Sequence, residues 1–180
     1  FTIGCAPVGF AGAAPEAQAA CKGAVGVMKS RGAKVKEVEM PDCPYGPLVE
    51  TVIGAEAASI FEDFLRGTQI DQMTDQAQAA GLKAGLDISA IDYLKAMRIR
   101  SLVREAFREM YYDIDMLLVP SRMVPAPRIA DGVRGGAASS VATTSGGRGL
   151  NGIIPAGNLA GLPAISLPCG FAGGLPMGIS

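Results

Sequence analysis

The order of apolar and polar positions predicts a strand, a helix and a second strand in the first 40 residues. The short uncharged run Thr-Ile-Gly-Cys at 2–5, closed by Pro7, is typical of a buried strand. A helix is expected from Pro15, a residue suited to a first helical turn, to about Ser30, with Gly32 ending it. Small or apolar residues then alternate with charged ones over 33–40, which predicts a half-exposed strand near a sheet edge.

Two longer helices and three further strands are predicted in the rest of the chain. Apolar residues recur at helical spacing over 48–66 and, most strongly, over 89–111, with a polar, glutamine-rich stretch between these helices. Residues 131–152 are rich in Gly, Ser, Thr and Ala, which predicts a loop. Strands are expected at 116–119 (central and buried), at 164–167 (before a Cys-Gly-Phe turn) and from about 174. This mixture indicates the α/β fold class.

Composition changes the picture mainly by exclusion. The chain has 180 residues, of which 49% are apolar and 18% charged, and this suits one folded domain or a large part of one. The net charge of −1 gives no electrostatic reason to expect nucleic acid or an acidic membrane surface as a partner. Because the sequence contains no histidine, it cannot supply a Ser-His-Asp triad, a Cys-His pair or an imidazole metal site.

The four cysteines are well separated and form no Cys-x-x-Cys pair. They lie at Cys5, Cys21, Cys43 and Cys169. A chain of this length can fold without disulfides, so we expect reduced, mostly buried thiols and a cytoplasmic location. No apolar run approaches the ~20 residues that a membrane-spanning helix needs. A membrane is therefore not an expected partner.

Two segments carry a resemblance to a known family. Residues 113–121 are Asp-Ile-Asp-Met-Leu-Leu-Val-Pro-Ser. Residues 158–171 are Asn-Leu-Ala-Gly-Leu-Pro-Ala-Ile-Ser-Leu-Pro-Cys-Gly-Phe, and Gly-Leu-Pro-Met-Gly follows at 174–178. Together they resemble the C-terminal part of an amidase signature enzyme. The resemblance implies an α/β/α sandwich with a mixed β-sheet core, and hydrolysis of a carboxamide without a metal or other cofactor.

The reacting groups of that family are a serine nucleophile, a bridging serine and a lysine base, and their motifs do not occur in residues 1–180. The Gly- and Ser-rich residues 139–147 precede the 158–171 segment, which is the wrong end of the family's order, and are interpreted as a loop. We therefore expect residues 1–180 to be the C-terminal portion of a single amidase domain in a longer chain. This portion should lack the Ser-Ser-Lys triad and be inactive alone, so no catalytic residue is assigned.

Arg100 is the first candidate substrate-binding residue. The predicted apolar face of its helix comprises Ile99, Val103, Ala106, Phe107 and Met110. Arg100 flanks Phe107 at the edge of that face. The resemblance to the A subunit of tRNA-dependent amidotransferases implies that Arg100 grips a substrate carboxylate. The alternative is a surface arginine, either solvated or ion-paired with Asp63 or Glu105.

Ser121 and Asn158 are the other two candidates. Ser121 follows a predicted strand at its carboxyl end, where open α/β sheets bind ligands, and a simple turn residue would fit equally well. Asn158 is expected either beside the substrate or as a residue that pins the loop before its strand. In the tRNA-dependent amidotransferases, an acidic residue that helps to hold the glutamine amine falls at the position of Asn151. The missing charge favours a general amidase.

Three functions remain open from the sequence. The leading one is hydrolysis of a small or aryl carboxamide to an acid plus ammonia or an amine, with this chain supplying sheet core and part of the substrate pocket. The alternatives are the glutamine-hydrolysing A subunit of a tRNA-dependent amidotransferase and a non-catalytic amidase-like module. The expected partner is a small-molecule amide. Nucleic acid is not expected as a direct partner, and homo-oligomerisation is left open.

Overall fold

The computed structural model describes residues 1–6, 13–121, 125–126 and 150–180, with the backbone alone for 150–153. Its helices are α1 (Pro15–Ser30), α2 (Tyr45–Ile60), α3 (Glu62–Arg66), α4 (Gln76–Ala84), α5 (Ala90–Met110) and α6 (Leu150–Ala160). Its strands are β1 (Thr2–Cys5), β2 (Lys34–Glu37), β3 (Met116–Leu118), β4 (Leu167–Ala172) and β5 (Leu175–Ile179). The predicted α/β class is confirmed.

The sheet combines parallel and antiparallel pairing. Strands β2, β1 and β3 lie side by side in that order and run parallel, with Ile3 opposite both Val35 and Met116. Strands β4 and β5 form an antiparallel hairpin. Val119 and Ser180 then exchange two backbone hydrogen bonds of 2.8 Å, which join the end of β5 to the chain just after β3. The described strands therefore place β2 at one edge and β3 inside, as the sequence predicts.

The first strand–helix–strand unit follows its sequence signals closely. Helix α1 begins at Pro15, whose missing N–H would have had no intrahelical partner at that position. The helix ends before Gly32, which has φ +91°, a conformation open to glycine and costly for other residues. Strand β2 then alternates Lys34 and Lys36 with half-buried Val35. Local chemistry alone fixes these boundaries.

The middle of the chain is more helical than its polarity suggests. The predicted helix over 48–66 starts earlier, at Tyr45, and is interrupted at Phe61 between α2 and α3. The glutamine-rich stretch contains α4, which begins where the Asp75 carboxylate accepts a 2.9 Å hydrogen bond from the Gln78 N–H. The apolar residues of this helix are four alanines and one leucine, so its hydrophobic periodicity is too weak to detect from sequence.

The helical core forms where α2, α5 and α6 meet. The rings of Tyr45 and Phe107 pack with their centroids 6.5 Å apart and their planes tilted by 58°. Leu159 and Ala156 of α6 complete this cluster. Phe107 is 1% exposed, so almost its whole side chain is removed from water. This cluster anchors α6, and with it the chain that leads to β4.

Two predictions for the C-terminal third are wrong in detail. The strand expected at 164–167 begins only at Leu167, and the residues predicted as a Cys-Gly-Phe turn lie inside β4. The turn instead falls at Gly173 and Gly174, both with positive φ, as a two-residue hairpin requires. Of the predicted loop, 131–149 lies outside the described residues, and its last residues begin α6.

The free energy of unfolding should fall at alkaline pH, because of Cys21. This thiol is 0% exposed, and burial, together with the neighbouring Cys169 thiol, raises its pKa from 9.0 to about 12. The unfolded chain therefore loses this proton above pH 9 while the folded chain keeps it, so stability declines as pH rises from 9 towards 12. We expect a loss on the order of 2 kcal/mol between pH 8 and 10.5, measured by urea unfolding.

The matched control is Cys21→Ala, which should unfold with a flatter pH dependence over this range. A smaller decline remains in that variant because burial also raises the pKa of Tyr45 to about 12. Identical pH profiles for the two proteins would contradict this assignment of Cys21.

Candidate functional site

Ser121 lies at the carboxyl end of β3, the edge of the sheet where parallel strands present ligand-binding groups. Its backbone N–H donates a 3.0 Å hydrogen bond to the Gly178 carbonyl oxygen in β5. The Ser121 backbone is therefore held by sheet pairing. The predicted location of Ser121, at the carboxyl end of this strand, is confirmed.

The Ser121 hydroxyl is the centre of a cluster of three serines. Its Oγ lies 2.6 Å from the Ser166 Oγ and 2.6 Å from the Ser180 Oγ. Sequence reasoning missed Ser166 and Ser180, because they are 45 and 59 residues away from Ser121 and only the pairing of β5 with the end of β3 brings them there. No spacing motif could have marked this cluster, which we call the serine row (Ser121, Ser166 and Ser180).

Arg100 lies within the packed face of α5. The residues buried on this face are Ala96, Val103 and Phe107. Arg100 falls between them at intervals of three and four residues, and its side chain is half-buried. Ile99, predicted to be on the packed face, is 36% exposed, so that prediction is wrong. The helix carries two apolar stripes, and only the contact with α2 and α6 decides which one is buried.

The Arg100 guanidinium caps the end of α6. Its Nε donates a 2.8 Å hydrogen bond to the Leu159 carbonyl oxygen. That oxygen is in the last turn of α6, where carbonyls lack intrahelical partners and a positive charge is favourable. The carbonyls of Gly157 and Asn158 accept instead from the Leu162 and Gly161 N–H groups. Arg100 thus completes the C-terminal cap of this helix.

The ion pairs expected as an alternative for Arg100 do not form within the described part of the chain. Glu105 pairs instead with Arg108, and this interaction lowers the pKa of Glu105. Neither Asp63 nor any other described carboxylate lies within 4.0 Å of the Arg100 guanidinium nitrogens. The surface ion-pair interpretation is therefore wrong for the residues that the structure describes.

Asn158 is placed differently from the sequence expectation. It lies in the last turn of α6 with an exposed side chain, rather than in a loop that leads into a strand. Its backbone carbonyl accepts a 3.2 Å hydrogen bond from the Gly161 N–H, and Gly161 has φ +71°. The Asn-Leu-Ala-Gly sequence therefore forms a helix end with a glycine cap. The structure brings Arg100 to this helix end, next to Asn158, whereas Ser121 contacts the other two serines.

A groove of about 450 Å³ runs between the carboxyl half of α5 and the end of α6. Its lining residues are Ser101, Arg104, Glu105, Phe107, Arg108, Tyr111, Ala160 and Leu162. None of the three predicted binding residues lines it. The groove lies beside the Arg100 cap and is distinct from the serine row.

Some kinds of site are absent from the part of the chain that the structure describes. No group of three or more Cys, Asp or Glu side chains there could hold a metal ion. The Cys5, Cys21 and Cys43 thiols have raised pKa values, mainly through burial, and a protonated thiol is a poor nucleophile or ligand. None of the described helices is long and apolar enough to cross a membrane.

Comparison with known proteins decides the family. A family model described as Amidase matches residues 3–180. The chain belongs to the amidase family. An amidase from Pseudomonas putida is 31% identical over 158 residues, covering 88% of this chain and 33% of that protein. The A subunit of the glutamyl-tRNA(Gln) amidotransferase of Parvibaculum lavamentivorans is 32% identical over 177 residues, covering 84% of this chain and 34% of that subunit. The chain spans about a third of the length of these curated relatives.

Solved structures of amidase-family enzymes share the fold of this chain. An allophanate hydrolase from Kluyveromyces lactis has a TM-score of 0.77 and 26% identity, covering 99% of this chain and 28% of its own. A crystal structure of an amidase has a TM-score of 0.76 and 23% identity, and the match covers 99% of this chain and 40% of the amidase chain. A bacterial aryl acylamidase of the amidase signature family has a TM-score of 0.73 and 22% identity, and the match covers 99% of this chain and 39% of the acylamidase chain. The chain therefore has the fold of part of an amidase signature domain.

Proposed function

We propose that the whole protein hydrolyses the C–N bond of a small carboxamide, giving a carboxylic acid and ammonia or an amine. The observation that carries the proposal is the match of the amidase family model over residues 3–180. The residues described here supply sheet, helical core and one side of a substrate site. They contain no histidine, which suits a family whose base is a lysine.

The chemistry is assigned to residues outside 1–180. In this proposal they belong to a single amidase domain, of which this chain is the C-terminal portion, and the chain alone is inactive. A serine nucleophile with a lysine base needs no metal or cofactor, because the lysine can take and return the proton. The carboxyl edge of β3 and the cap of α6 then face the reacting groups.

Three residues are proposed to bind substrate. Arg100 has only its Nε committed within the described residues, so its terminal nitrogens can hold a carboxylate on the substrate. Ser121 offers a hydroxyl at the carboxyl end of β3. Asn158, with an exposed amide beside the Arg100 cap, can both donate and accept hydrogen bonds. These roles let the site bind the amide group of a small or aryl carboxamide and, where the substrate carries one, a carboxylate.

The glutamine-hydrolysing A subunit of a tRNA-dependent amidotransferase is the second candidate. The specific observation in its favour is the 32% identity to that protein of Parvibaculum lavamentivorans. Asn151 speaks against it, because an acidic residue is expected there to hold the glutamine amine. A non-catalytic amidase-like module is the third alternative. In either enzymatic case we propose a cytoplasmic protein, with homo-oligomerisation as an open question for solution measurement.

The test separates these candidates by substrate and by partner. The purified whole protein is incubated with benzamide or with glutamine, and ammonia release is followed with and without tRNA and an amidotransferase B-type subunit. We expect benzamide hydrolysis with no added partner. Ammonia release from glutamine but not from benzamide, with a strict requirement for tRNA and the B-type subunit, would favour the second candidate. Release from neither amide under any condition would favour the non-catalytic module.

A further inference from the structure

The serine row joins three separate parts of the chain at one point of the sheet. Ser121 follows β3, Ser166 directly precedes β4, and Ser180 directly follows β5. The backbone around the row is fixed by pairing, through the Ser121–Gly178 hydrogen bond of 3.0 Å and the two Val119–Ser180 hydrogen bonds of 2.8 Å. Strand pairing therefore fixes the backbones of Ser121 and Ser180, and Ser166 joins them from the residue just before β4.

Gly178 provides the space that the row needs. A Cβ built on Gly178 would lie 3.0 Å from the Ser121 Oγ, 3.1 Å from the Ser166 Oγ and 3.2 Å from the Ser121 Cβ. These separations are shorter than ordinary van der Waals contacts, so a larger residue at this position would push the hydroxyls apart. The backbone of β5 thus forms one wall of the row, and this wall holds the Ser121 side chain in place.

The serine row has more hydroxyl protons than the hydrogen bonds within it use. Three hydroxyls carry three protons, and the two hydrogen bonds within the row use two of them. Within the described residues, one O–H is therefore left for a further acceptor, together with lone pairs on the same oxygens. Ser166 is exposed and Ser121 is half-buried, so a ligand can reach the row on the side where these two serines meet. A carboxamide, which has a carbonyl acceptor and an N–H donor on adjacent atoms, matches such a pair.

The segment that carries Ser166 and Ser180 has no charged residue. Residues 150–180 contain no Asp, Glu, Lys or Arg, whereas Arg122 follows Ser121 in the chain. The hydroxyls themselves are neutral, so they discriminate between ligands by hydrogen bonding rather than by charge attraction. The row is therefore suited to the amide group itself, whereas Arg100 is suited to a carboxylate elsewhere on the substrate.

We propose that Ser166 and Ser180 are positioning residues that hold the Ser121 hydroxyl at the carboxyl end of β3, where it hydrogen-bonds the carboxamide of the substrate. This inference rests on the proposed function, which it deepens by naming the groups that bind the amide. Ser166 and Ser180 act through Ser121. Removing Ser121 should therefore remove the effect of removing Ser166 as well.

The experiment uses the whole protein and benzamide, with binding and hydrolysis measured separately. The variants are Ser121→Ala, Ser166→Ala, Ser166→Thr and the double variant Ser121→Ala/Ser166→Ala. Ser166→Ala should raise both Kd and KM by roughly threefold to tenfold, with kcat changed by less than about twofold, since one neutral hydrogen bond is disturbed. Ser166→Thr keeps a hydroxyl and should restore the wild-type values. The double variant should match Ser121→Ala.

The matched control is Ser30→Ala, which removes an exposed hydroxyl bonded only to the Val27 carbonyl at the end of α1. If Ser166→Ala changes Kd and KM no more than Ser30→Ala, the inference is overturned while the hydrolytic function stands. If the protein binds benzamide without hydrolysing it, and Ser166→Ala weakens that binding, the function is overturned and the inference stands. If the wild-type protein neither binds nor hydrolyses benzamide or glutamine, both are overturned.

Discussion

Replacing Phe107 with alanine is expected to lower the free energy of unfolding by about 3–5 kcal/mol. Phe107 is 1% exposed and packs against Tyr45 of α2 and the buried face of α6. Removing the ring deletes buried apolar surface and leaves a cavity, because the three packed helices relax only partly into the space. Because α6 leads into β4, the loss should also loosen the hairpin that carries two of the serines.

The measurement is urea unfolding of the whole protein, followed by circular dichroism. The control is Phe171→Ala, the same substitution at a phenylalanine that is 75% exposed on β4. We expect that variant to lose less than about 1 kcal/mol. Equal losses for the two variants would contradict the assignment of Phe107 to the helical core.

Replacing Arg100 with alanine is expected to raise KM for carboxylate-bearing amides by roughly 10- to 100-fold, and for neutral amides by less than about threefold. A charge-assisted hydrogen bond to a substrate carboxylate is worth about 1.5–3 kcal/mol, which corresponds to this range. The same substitution removes the cap on the Leu159 carbonyl, so the free energy of unfolding should fall by about 1 kcal/mol.

The control for Arg100→Ala is Arg98→Ala, which removes an exposed arginine from the same helix. Steady-state kinetics with one neutral and one carboxylate-bearing amide, matched in size, give the comparison. An equal rise in KM on both substrates would remove Arg100 from the substrate site and leave it as a helix cap.

Local signals in the sequence predicted local structure well. Pro15 and Gly32 mark the two ends of α1, and the alternation around Val35 marks an edge strand, because each signal acts through its own backbone. Helix α4 was missed because its polar residues show no clear period. Its start depends on one Asp75 hydrogen bond that no periodicity reveals.

The candidate site was predicted only in part, since it depends on contacts between distant residues. Ser121 could be placed at a strand end from the apolar run before it. Ser166 and Ser180 could not be joined to it, because that requires the pairing of β5 with the end of β3. The helical wheel of α5 placed Arg100 beside Phe107 on the face that is buried, but it also assigned the exposed Ile99 to that face, because only packing against α2 and α6 decides which apolar residues are covered.

Hydrolysis of benzamide in water enriched in ¹⁸O tests whether this protein cleaves the C–N bond of a carboxamide. The whole protein is incubated with benzamide and a metal chelator, and the product is analysed by mass spectrometry together with the ammonia released. We expect benzoic acid with one ¹⁸O atom per molecule and one ammonia per acid, at a rate unaffected by the chelator. Absence of labelled acid from benzamide and of ammonia from glutamine, across the purified protein's stable pH range, would contradict the proposal that this protein is an amidase.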